Sequence, residues 1–184
     1  VNAARAGLLV VAAVLVAGDW LMSRMMLHMF VQLPLLFAGG VLLALPRETP
    51  WARWNVPVLP AAVFVTGVVM TWMIPRALDG AIEYPAVNAA KVISLLLAGA
   101  VGVRAWARAS ALVRTFVAGN SVWMMASVGM LYRDAPARLC TSYARSEQQQ
   151  VGIALISLTV LATALGLWRL STRRATGPTT GPLA

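Results

Sequence analysis

The chain is poor in the residues that carry most soluble chemistry. Charged residues make up 11% of it, against roughly 25% in an ordinary soluble domain. Cys140 is the only cysteine, so no internal disulfide can form. His28 is the only histidine and Lys91 the only lysine. One histidine excludes a bis-histidine haem b built from this chain alone. Acidic residues number 6 against 15 basic. There is no phosphate loop, no dinucleotide fingerprint and no carboxylate–histidine metal motif. Hydrolytic chemistry therefore has no support.

What remains is apolar. The chain is 60% hydrophobic, with a mean hydropathy of +0.76. A soluble core of this size has no room for so much apolar surface, and a bilayer does. The net charge of +9 sits almost wholly between the apolar runs. Arginines placed there read as topology signals and contacts for phospholipids of negative charge. No basic stripe alternates with aromatics, which argues against nucleic acid as a partner. Arg5 precedes an apolar run without a convincing cleavage site after it, so the run reads as a retained first span.

The expected fold class is all-α, a polytopic integral membrane helix bundle of about six transmembrane helices. The spans fall at residues 4–21, 25–45, 58–74, 87–106, 112–131 and 151–170. Residues 1–170 form one transmembrane domain and 171–184 a flexible polar tail. Residues 46–57, with Arg47, Glu48, Trp51, Arg53 and Trp54, read as an amphipathic interfacial link. Six spans place both termini on one face, and the arginine excess makes that face cytoplasmic, in a bacterial inner membrane. Pro34 is expected to kink the second span. Gly39, Gly40, Gly99 and Gly102 are expected to allow close helix approach.

Chemistry concentrates in the second span. Met25, His28 and Gln32 can share one helical face, and Met22, Met26 and Met29 bring thioethers nearby. Imidazole and thioether together suit copper(I), so His28, Met25, Met29 and Met73 are the candidate metal ligands. The first reading of His28, ahead of the metal one, is a packed, hydrogen-bonded side chain; a haem ligand and a quinone or other polar contact come after. Lys91 enters the fourth span one turn in. Its first reading is snorkelling to the headgroups; the others are pairing with Asp79 or Glu83, or meeting a bound anion. Asn120 needs a partner within the bundle. Gln32, Trp72, Asn88, Lys91, Asn120 and Gln149 are the candidate inter-helix or partner contacts. Cys140 falls in a loop and reads first as an ordinary thiol, with a single soft metal ligand as the alternative.

Three stretches carry a family resemblance. One is MMLHMFVQLPLLFAGG, beginning at Met25. Another runs from Trp72-Met73-Ile74-Pro75 through Asp79, Ala81 and Pro85 to Asn88 and Lys91. The third joins Leu131-Tyr132, Arg138 to Tyr143, and Glu147-Gln148-Gln149 with Gly152. In this order they resemble the membrane proteins required for assembly of caa3-type cytochrome c oxidase. The resemblance covers about residues 20–165. It implies a helical membrane protein that handles copper through histidines at membrane edges. This chain departs from that pattern at Met73, Asn88 and Lys91, which stand where the family has histidines. The implied function is a non-enzymatic accessory or assembly protein of a respiratory membrane complex. The alternative is a permanent structural subunit touching lipid, quinone or haem; a small transporter and a redox enzyme rank below both.

Overall fold

The computed structural model describes residues 3–45 and 56–175. Among them the regular structure is wholly helical. In chain order the helices are α1 (Ala3–Val16), α2 (Gly18–Met22), α3 (Met25–Leu27), a π-helical turn (His28–Gln32), α4 (Leu33–Ala44), α5 (Val58–Met73), α6 (Pro75–Glu83), α7 (Pro85–Arg108), α8 (Ala111–Asp134) and α9 (Arg145–Ala175). The expected link at residues 46–57 lies outside the described residues except for its last two positions, and so does the tail from residue 176. Residues 171–175 continue α9.

The protein is embedded in the membrane, but not through six spans. Three helices are long and apolar enough to cross: Met25–Ala44, Pro85–Arg108 and Arg145–Arg169. A fourth crossing exists if α5 and α6, bent 75° apart, are taken as one broken span. Each shortfall has a physical cause. Helix α1 has 14 residues, and at 1.5 Å per residue it reaches only roughly 21 Å, short of a hydrocarbon core of about 30 Å. The expected first span also runs through a turn at Ala17, which separates α1 from α2. Helix α8 has 24 residues, but Arg114, Asn120 and Ser121 dilute it below the apolarity of the other three.

Proline sets the corners. A residue before proline is pushed out of the helical region. Ile74 takes φ −75°, ψ 129° before Pro75, and Tyr84 takes φ −121°, ψ 115° before Pro85. Between them α6 turns across one end of the bundle and buries Leu78, Asp79 and Ala81. Pro34 acts differently from the expected kink. It lacks an amide proton and crowds the carbonyl four residues back. The rungs just before it widen into the π turn, where the Leu33 amide bonds the His28 carbonyl five residues earlier. The rod from Met25 to Ala44 stays continuous.

The rod packs against α1 on one side and α7 on the other, while α8 packs along α9. Glycines make the closest crossings. A methyl group on Gly40 would collide with the Leu96 carbonyl, and one on Gly99 with the Phe37 carbonyl. Where α8 meets α9, a methyl on Gly152 would lie 2.7 Å from both the Arg133 amide nitrogen and the Gly129 oxygen. One buried cluster gathers Met25, Met29, Leu78, Tyr132, Cys140 and Tyr143 at the end of the bundle crossed by α6.

Candidate functional site

The π turn faces α7 with its two polar side chains, His28 and Gln32. Both are buried, and so is Lys91 opposite them, at 0% exposure. Lys91 does not snorkel. Its Nζ lies 2.9 Å from His28 Nε2, 2.9 Å from Gln32 Oε1 and 3.5 Å from Met22 Sδ. His28 Nδ1 lies 2.7 Å from the Tyr143 hydroxyl, which in turn lies 3.0 Å from the Met22 carbonyl oxygen.

These distances close into one donor assignment. An ammonium has three protons, and Lys91 has three acceptors. Accepting at Nε2 leaves His28 neutral with its proton on Nδ1. That proton goes to Tyr143 Oη, and the Tyr143 hydroxyl donates to Met22 O. A neutral amine has protons for only two of the three, so donating to His28 Nε2 and Gln32 Oε1 leaves Met22 Sδ without a donor; if it accepts from His28 instead, the tyrosine proton turns toward His28 and Met22 O is left without one. The charged form therefore satisfies one more buried acceptor. Burial pushes the Tyr143 hydroxyl above its ordinary range, which keeps it a donor.

Among the described residues no carboxylate pairs with Lys91; the one ion pair there joins Arg133 to Asp134. Asp79 serves another purpose. Its Oδ2 accepts from the Thr141 amide at 2.7 Å and the Thr141 hydroxyl at 3.0 Å, and its Oδ1 accepts from the Ser142 amide at 3.1 Å. This carboxylate pins residues 135–144 over the buried end of the bundle. Gln148 braces the same segment: its Oε1 accepts from the Leu139 amide at 2.9 Å, and its Nε2 donates to Tyr132 O at 3.2 Å. The Tyr132 hydroxyl then donates to Met73 O at 3.0 Å. A buried charge without a counter-ion is costly in a membrane and marks a site with a role.

Cys140 lies inside this cap, fully buried. Burial, followed by the nearby Asp79 carboxylate, pushes its thiol up to about 12. Alkylation of the folded protein at neutral pH is accordingly expected to be slow. Asp79→Ala removes three acceptor contacts and is expected to speed labelling of Cys140 and tryptic cleavage at Arg138 by about tenfold or more. Unchanged rates would show that Asp79 does not hold the segment down.

The candidate residues separate into groups. His28, Gln32 and Lys91 come together. Trp72 lies just beyond them: its indole donates to Ser94 Oγ at 2.9 Å, and Ser94 donates to Lys91 O at 3.1 Å. Met25 and Met29 point into the buried cluster, with Met73 packed against it. Asn88 Oδ1 is buried with no hydrogen-bond partner among the described residues. Asn120 is half-buried on α8, which supplies none of the side chains around Lys91. Gln149 is half-buried, and its neighbour Gln148 is the residue that turns inward. Copper(I) does not fit here. Both His28 nitrogens are engaged, and the position opposite Nε2 holds the Lys91 ammonium, which would repel a metal cation. Among the described residues no group of three or more His, Cys, Asp or Glu side chains is arranged to hold a metal. The same contact bars His28 from a haem iron.

Sequence reasoning missed Tyr143, Met22 as an acceptor, Asp79 as a latch, and Gln148. The only signal for Tyr143 was its place in the third resembling stretch, far from His28 in the chain. No family model, curated protein or solved structure matches the chain.

Proposed function

We propose that this protein is a non-enzymatic accessory protein of a larger respiratory membrane complex, of the oxidase-assembly kind its motifs resemble. It would sit in a bacterial inner membrane. Counting α5 and α6 as one broken span brings the crossings to four, an even number that agrees with both termini on the cytoplasmic face. The buried network supports a structural duty, because its donors and acceptors satisfy one another and hold the π turn, α7 and the cap in register.

The observation that carries the reading is on the outside. A methyl group built on Gly67, Gly119 or Gly166 would meet nothing within 4 Å. These glycines leave bare backbone on the outer faces of α5, α8 and α9. Lipid contact does not need a bare backbone, whereas close approach of a partner helix does.

Purification from membranes in mild detergent tests this. Respiratory-complex subunits are expected to accompany the protein, and Gly119→Leu with Gly166→Leu is expected to lower their recovery about tenfold. His28→Ala is expected to leave the copper content of the preparation unchanged. Equal recovery of subunits from the glycine variant, or their absence from the unmodified protein, would defeat the proposal.

A further inference from the structure

A second feature lies between the helices, apart from the buried network. A half-open cavity of about 620 Å³ lies between the Met25–Ala44 rod, α5, α7, α8 and α9. That volume lies within the usual range of ligand sites, roughly 300–1,000 Å³. Its wall includes Phe37, Val65, Val103, Ser121 and Leu158, so nearly all of it is apolar. Two of the polar side chains in it are already engaged: Ser121 donates to Val117 O at 2.8 Å, and Trp72 to Ser94 Oγ at 2.9 Å. Water would find few partners there. An empty space of this size would forfeit dispersion contacts along its whole lining. The material at hand to fill it is the hydrocarbon around the protein.

One end of the cavity is marked by Trp106, near the end of α7 and 47% exposed. The Arg114 guanidinium lies 5.7 Å from the centre of that indole ring. Arg104 and Arg108 occupy the same end of the bundle, donating to Ala44 O and Val56 O. An apolar slot ending in an indole and a cluster of guanidinium groups is complementary to an acyl chain with a negatively charged headgroup. Guanidinium groups match phosphate oxygens in fork geometry, and basic pockets between membrane helices suit anionic headgroups.

We infer that this cavity holds an acyl chain of an anionic phospholipid whose phosphate meets Arg114. The site does not depend on a protein partner. It differs from general attraction of arginines to the membrane surface, because chain and headgroup are recognised together.

Native mass spectrometry of the full chain, released from detergent after equilibration with equal phosphatidylglycerol and phosphatidylcholine, tests the inference. One lipid per chain is expected to be retained, with phosphatidylglycerol preferred about fivefold, the factor one arginine beside an anionic headgroup supplies. Arg114→Gln, at an exposed position, is expected to erase the preference while a lipid is still retained. Ser121→Phe, which fills the cavity, is expected to reduce retention of both lipids; Val65→Phe, in the α5 part of the wall, is the second plug if the first does not fold. Equal retention of the two lipids by the unmodified protein would overturn the inference. So would an unchanged preference in Arg114→Gln, or full retention in a folded plugged variant.

Discussion

Lys91→Ala is expected to lower the unfolding free energy in micelles by about 3 kcal/mol, because it strips the donor from buried acceptors and opens a cavity at once. Denaturant unfolding followed by helical circular dichroism would measure it. The loss comes from what is left behind. His28 Nε2 and Gln32 Oε1 each lie 2.9 Å from the amine, and both side chains are buried. Removing the charge together with an acceptor should be milder, since matched apolar replacement of a buried polar pair is often close to neutral. Lys91→Met combined with Gln32→Leu is therefore expected to be more stable than Lys91→Ala. A loss below about 0.5 kcal/mol for Lys91→Ala, the level of an ordinary surface change, would mean that the network does not hold this end together.

Gly99→Val should be as damaging, for a steric reason. Even a methyl group at Gly99 would collide with the Phe37 carbonyl, and it would lie 2.9 Å from the Val41 amide nitrogen. Backbone cannot rotate aside as a side chain can, so the rod and α7 must separate. Overpacking of this kind is expected to cost about 3 kcal/mol or more. The readout is loss of the monodisperse peak in size exclusion and a lower unfolding temperature. Gly102→Ala is the internal control. Its new methyl would meet only side chains, Val65 at 3.3 Å and Phe37 at 3.6 Å, and should change stability by less than about 1 kcal/mol. Equal behaviour of the two variants would refute the crossing at Gly99.

The two predictions differ in how visible their basis is before folding. Paired small residues in apolar runs already suggest close helix approach, and Gly40 and Gly99 make it. The span count was harder to read. Hydropathy cannot see that the chain turns at Ala17, or that Pro75 folds α6 across the end of α5. Arg114, Asn120 and Ser121 dilute α8, a signal that a count of apolar runs does not register. The candidate site was half legible. His28 and Gln32 lie four residues apart, near enough for helical spacing to pair them. Their cation comes from Lys91, 63 residues after His28, and Tyr143 from 115 residues after it.

Composition alone put this chain in lipid, because hydrocarbon accepts long apolar runs and few charges whatever the order of the helices. Sequence also located the helical turn that carries the histidine. Tertiary structure decided where the charges went. A lysine one turn into a span can reach water or turn inward, and helical periodicity is the same for both. Only the arrival of the His28 turn, Met22 and the Asp79-held cap around one amine makes the inward choice the lower in energy.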